Sequence, residues 1–168
     1  MDIKVDDLVV YRSAGVCRVI SKEEQCMDGV HYQDYIKLKP LADPNSTYYI
    51  PADGAEDKLR CLLEKEQVLE LIDNMPRSAE DELWSDNRRE RKVMYNQILR
   101  GDDQKALVQL ISELYFKKQD QEAHGKRFSS MDENAMKNAE SLMLQEFGIV
   151  LGMEPEKVRD FIAERVNA

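Results

Sequence analysis

Hydrophobic positions along the chain change their spacing near residue 60. Before that point apolar residues come in short runs, Leu8 to Tyr11, Val16 to Ile20 and Val30 to Leu38, with Ser13-Ala14-Gly15 and Met27-Asp28-Gly29 between them. Such runs predict short strands joined by tight turns, and an Asp-Gly pair supplies the positive φ angles that a hairpin needs. After Pro40, residues 42–46 read as a loop, Thr47-Tyr48-Tyr49-Ile50 is β-branched and aromatic, and Pro51 ends the run because proline cannot donate to a ladder. Four or five strands in about 50 residues predict a small Tudor/SH3-like β-barrel.

From Leu62 onward the spacing is helical. Leu62, Leu63, Val68, Leu69 and Ile72 predict a short helix ending near Asn74-Met75-Pro76, and residues 76–82 form a polar, acidic linker without periodicity. A helix over Leu83 to Leu99 is closed by Arg100-Gly101, and another starts at Asp102 or Asp103 with Ala106, Leu107, Leu110, Ile111 and Leu114 inward. Ser130-Met131-Asp132-Glu133 reads as a capping box for a helix carrying Met136, Ala139, Leu142, Met143, Leu144 and Phe147. Pro155 opens a last helix with Val158, Phe161, Ile162 and Val166 inward. The expected fold is α+β: a small barrel over 1–60, a short helix and linker over 61–82, and a compact all-helical domain over 83–168.

Charge complicates any nucleic-acid reading. The 168 residues hold 33 acidic against 24 basic side chains, a net charge of −9, whereas a free-standing DNA-binding domain is usually basic. No apolar run approaches the roughly 20 residues of a membrane span, and the acidic N-terminal stretch is unlike a signal peptide, so a cytoplasmic chain is expected. Three cysteines without CxxC spacing and two histidines with polar neighbours give no disulfide framework and no metal site, and no cofactor is expected. Walker, nucleophile-elbow, dinucleotide and zincin motifs are missing, and the acidic residues fall on expected solvated faces, so no enzymatic activity is expected.

One local constellation reverses the overall charge. Trp84, the only tryptophan, and Ser85 precede Arg88, Arg89, Arg91 and Lys92, and from Ser85 to Arg100 five basic residues face two acidic ones. Positions 88, 91 and 92 share one helix face, so the helix can pack with Leu83, Met94 and Ile98 and offer cations on the other side. Read from the residues alone, two accounts stand: a phosphate-contacting helix with a stacking aromatic, or a core tryptophan beside a solvated charged face. A second basic cluster, Lys117-Lys118 with Lys126-Arg127, is diluted by Asp120 and Glu122 and reads as a solvated helix end. Adjacent Tyr48 and Tyr49 point to opposite faces of a strand, so one looks outward, either to dock a partner by strand addition or to cover a surface groove.

Taken in order, Ile3-Lys4-Val5-Asp6-Asp7-Leu8-Val9-Val10-Tyr11, Gly15, Thr47-Tyr48-Tyr49-Ile50-Pro51-Ala52, Trp84-Ser85 and Leu99-Arg100-Gly101-Asp102 resemble the CarD family of bacterial transcription regulators, over almost the whole length. The resemblance implies an N-terminal Tudor-like module, shared with the transcription-repair coupling factor, that binds the RNA polymerase β subunit through Gln25, Thr47, Tyr48, Tyr49 and Ile50. It also implies a helical domain that contacts promoter DNA through Trp84, Ser85, Arg88, Arg89, Arg91 and Lys92, with Trp84 wedged at the upstream edge of the −10 region and the open complex stabilised by a monomeric, non-enzymatic protein. The sequence departs from the family pattern in two places: Tyr49 stands where an arginine is frequent, and Asp86-Asn87 stand where basic residues often follow the tryptophan directly. A protein–protein adaptor whose helical domain binds another protein is the alternative.

Overall fold

The computed structural model describes residues 2–76 and 82–167, which divide into two compact units, Met1–Leu62 and Leu63–Ala168. Among the described residues the first holds five strands and the second five helices, an α+β architecture.

The strands are β1 (Leu8–Tyr11), β2 (Gly15–Gln25), β3 (Gln33–Pro40), β4 (Tyr48–Pro51) and β5 (Leu59–Cys61), all antiparallel in the order β4-β3-β2-β1-β5. Alternation explains the core: Val9, Cys17, Val19, Ile36, Leu38, Ile50 and Leu59 point to one side and, with Ile3 and Ala55, form a buried cluster. Burial pushes the Cys17 thiol up to about 11. The β1–β2 turn needs positive φ at Arg12 and Gly15. The Asp28-Gly29 pair lies in the β2–β3 connection, but the ladder ends at Gln25↔Gln33, so the loop is longer than a two-residue hairpin. Asp28 organises it by accepting from the backbone N–H groups of Val30 and His31 and from the His31 ring. Those bonds hold its exposed carboxyl down at about 2.

The second unit contains α1 (Lys65–Asp73), α2 (Arg88–Arg100), α3 (Gln104–Ala123), α4 (Ser130–Leu151) and α5 (Pro155–Val166). Helix α1, expected as part of a connector, packs here: Val68 and Ile72 are fully buried in the helical core. The Asp73 carboxylate takes a bidentate pair from Arg165 of α5. Residues 77–81 of the expected linker lie outside the described residues. Most inward positions read from periodicity are buried, among them Leu107, Leu110, Leu114, Met136, Ala139, Met143, Phe147 and Val158.

Two helix starts differ from the sequence reading. Helix α2 begins at Arg88 rather than Leu83, because the Asn87 side chain accepts from the N–H groups of Arg89 and Glu90 and fixes the cap there. Helix α4 is capped by Ser129, not Ser130, with Ser129 Oγ accepting from Asp132 N at 3.1 Å.

The expectation that carboxylates lie on solvated faces fails at three positions. Glu113, Asp132 and Glu146 are buried, and each takes hydrogen bonds that replace lost water. Glu146 accepts from Leu63 N, and Glu113 from Leu83 N and Gln109. Phe147 is fully buried at the centre of the helical core, so Phe147→Ala is expected to lower unfolding stability by about 3–5 kcal/mol in urea titration.

Candidate functional site

Trp84 sits in the irregular segment that leads into α2, half-buried against the helical core. Its position follows from backbone anchoring on either side: Leu83 N donates to the buried Glu113 at 2.8 Å, and Asn87 caps the helix three residues on. The indole Nε1–H donates to Asp86 at 3.2 Å. Two cations lie over the ring, the Arg91 guanidinium 4.3 Å and the Lys117 ammonium 4.8 Å from its centroid, so the ring is both packed and electrostatically clamped.

Arg91 does not belong to the outward basic face assigned to it. It falls in the inward stripe with Met94, Tyr95 and Ile98 and is buried. Its guanidinium donates to both Asp132 oxygens, Nε at 3.0 Å and Nη2 at 3.1 Å, and Nη1 donates to the carbonyls of Ser85 and Asp86. With four of its five N–H groups committed in this way and its side chain buried, Arg91 serves the fold rather than an exposed cationic face. Asp132 also accepts from Tyr95 and from Ser129. Burial raises its carboxyl, but the bonds from Arg91, Ser129 and Tyr95 outweigh this and hold it below the ordinary aspartate value. Burial and the same carboxylate push Tyr95 upward.

Ser85 is likewise committed locally, its hydroxyl donating to Glu90 at 2.6 Å and accepting from Asn87 N. Arg88, Arg89 and Lys92 are exposed. None of the three lines the pocket beside the tryptophan that the sequence reading missed, a space of about 290 Å³ lined by Trp84, Asp86, Lys117, Asp120, Gln121, His124 and Lys126. Lys117 and Lys126 come from the cluster read as a solvated helix end, and no local signal ties them to a tryptophan more than 30 residues away. Lys118 departs from that reading as well, being half-buried and paired with Glu133 of α4 at 3.0 Å, whereas Arg127 is exposed as expected.

On the sheet unit, β4 pairs only with β3 among the described residues and is an edge strand. Tyr48 and Tyr49 are both more than a third exposed, at 37% and 39%. Tyr48 packs edge-on against Tyr11, and Tyr49 lies beside Lys37. Thr47 is exposed just before the strand. Ile50, assigned to the polymerase contact, is buried in the sheet core instead, because alternation turns it inward. Gln25 pairs with Gln33 and Tyr48 with Leu38. These positions are thus five residues apart along β3, roughly 17 Å, and the structure does not bring Gln25 and Tyr48 together.

Among the described residues no group of three His, Cys, Asp or Glu is placed to hold a metal, and no helix is long and apolar enough to cross a membrane. The chain is thus an α+β protein with a sheet unit bearing an open aromatic edge and a helical unit bearing a clamped tryptophan. Residues 3–62 match the model of the CarD-like/TRCF RID domain, and this match spans the sheet unit. No curated protein matches the chain.

Asp132→Asn leaves the Arg91 charge buried and uncompensated and is expected to cost about 3–5 kcal/mol at pH 7. Because the folded carboxyl lies below its unfolded value, its contribution is complete above about pH 4 and is lost as pH falls through the lowered folded value. Urea titrations of both proteins from pH 7 to pH 3 check this: the gap between them narrows on acidification.

Proposed function

We propose that this chain is a non-enzymatic transcription regulator whose sheet unit, a Tudor-like barrel in this reading, docks on the β subunit of RNA polymerase. Its helical unit then contacts promoter DNA at the upstream edge of the −10 region and stabilises the open complex. The observation that carries the proposal is the match of residues 3–62 to the CarD-like/TRCF RID domain, a domain class named for its interaction with RNA polymerase. Supporting it on the helical side are the half-exposed Trp84 ring and the exposed Arg88, Arg89 and Lys92 around the start of α2.

Clamping suits a wedge. A tryptophan already held by Arg91, Lys117 and Asp86 loses little freedom on inserting at a distorted base step, and insertion offsets the few kcal/mol of unstacking. Open-complex stabilisation further requires that the site bind the melted state better than the closed one. Trp84→Ala is expected to leave polymerase binding unchanged while shortening the open-complex lifetime in a competitor-challenge assay. An unchanged lifetime would remove the wedge.

A second reading, a protein–protein adaptor, is favoured by an apolar groove of about 570 Å³ in the helical unit, lined by residues that include Met75, Ile111, Tyr115, Met136, Met143 and Ile162. Co-purification of the chain with polymerase separates the two, because the adaptor reading does not require it. With a net charge of −9, the isolated chain is expected to bind naked duplex weakly and to lose that binding steeply as salt rises, which a fluorescence-anisotropy titration at two NaCl concentrations measures.

A further inference from the structure

The pocket beside Trp84 has the chemistry of a nucleobase site rather than a phosphate site. At about 290 Å³ it lies at the small end of ligand pockets, with room for one heteroaromatic ring system and too little for a helix or a strand. Trp84 forms an aromatic wall, Lys117 and Lys126 bring two cations, and Asp86 and Asp120 offset them with two carboxylates. Arg88, Arg89 and Lys92, the exposed cations suited to phosphates, lie outside it.

Two aspartates are out of place in a phosphate site, because a carboxylate repels a phosphate. Folding gains little from Asp120: it stands near the end of α3, where the helix dipole disfavours an anion, and its pairing with His124 at 3.6 Å is exposed. Asp86 is exposed and receives the indole N–H on one oxygen. A carboxylate only accepts, so a ligand here must bring N–H donors, while the lysines and Gln121 supply donors for its acceptors. Adenine, cytosine and guanine carry this combination on the Watson–Crick edge, an amino group beside ring or carbonyl acceptors. Thymine offers one N–H between two carbonyls, which a carboxylate repels. In a closed duplex these groups are spent on the opposite strand, so only an unpaired base can present them.

We infer that this pocket holds one unpaired, amino-bearing nucleobase of the melted promoter, set against Trp84 and Lys117 and donating to Asp86 and Asp120. This rests on the promoter-contact reading above and supplies what that reading requires: a contact that exists only after the strands have separated, and so favours the open state over the closed one.

The test uses the full chain with RNA polymerase on premelted promoter templates, in which the first unpaired base at the upstream edge of the bubble is varied among all four, on each strand in turn. The readout is the ratio of open-complex lifetimes with and without the chain. On one strand the wild-type ratio is expected to be at least about threefold higher for an amino-bearing base than for thymine, the scale of one hydrogen bond to a charged group. Asp120→Ala is expected to erase that difference without moving the thermal melting temperature. Simple proximity to phosphates predicts the opposite sign, a longer lifetime on every template once the negative charge is removed. That result, or equal wild-type ratios for all four bases on both strands, would overturn the inference while leaving the wedge in place. Lifetimes unchanged by Trp84→Ala on every template would remove the promoter-contact reading and this inference with it.

Discussion

The helical unit depends on one buried carboxylate. Asp132, in the first turn of α4, receives both forks of Arg91, the Tyr95 hydroxyl and the Ser129 hydroxyl, and the positive end of the α4 dipole favours its charge. Through Arg91 this one residue fixes α2 against α4, ties down the carbonyls of Ser85 and Asp86, and sets a cation 4.3 Å from the Trp84 ring centroid. A buried ion pair is worth little as a source of stability in itself, but losing one partner is costly. Its role here is positional, holding the segment before α2 in one arrangement with its aromatic ring half-exposed.

Why this centre escapes a reading of the sequence is a matter of distance and local ambiguity. Arg91 looks like one more member of a basic run, and the default for an arginine is the solvated side of a helix. Only Asp132, 41 residues away, makes the inward position acceptable. Two serines in succession add a second ambiguity: the Ser-x-x-Glu pattern selects Ser130 and Glu133, whereas capping by Ser129 turns Asp132 inward and leaves Glu133 to pair with Lys118. Glu113 and Glu146 hide for the same reason, since each accepts from the backbone of a segment distant in sequence. Local signals fared better. The β1 boundaries, the cap at Asp103, the start of α5 at Pro155 and the inward residues of α3 to α5 all follow from nearest-neighbour spacing. The side chain of Ile50, named among the partner contacts, is buried because alternation in β4 turns it into the sheet core.

The net charge of −9 takes on a different meaning once positive charge is located. Three exposed cations, Arg88, Arg89 and Lys92, stand together at the start of α2, and Lys117 and Lys126 meet Asp86 and Asp120 in the pocket at Trp84. In the proposed function the two units act in sequence. The sheet unit docks on polymerase, and tethering then raises the effective concentration of the helical unit at the promoter. One clamped tryptophan and a few cations suffice under those conditions, and the acidic remainder weakens binding elsewhere on DNA.

The central claim is that DNA is reached through polymerase at the Trp84 surface. Its most direct test is photo-crosslinking to promoter DNA from a photoreactive residue placed at the exposed position of Lys92, which leaves Trp84 in place, with and without RNA polymerase. The account predicts a crosslink at the upstream edge of the −10 region that requires polymerase. Equal crosslinking in its absence, or no crosslink with polymerase bound, would contradict it.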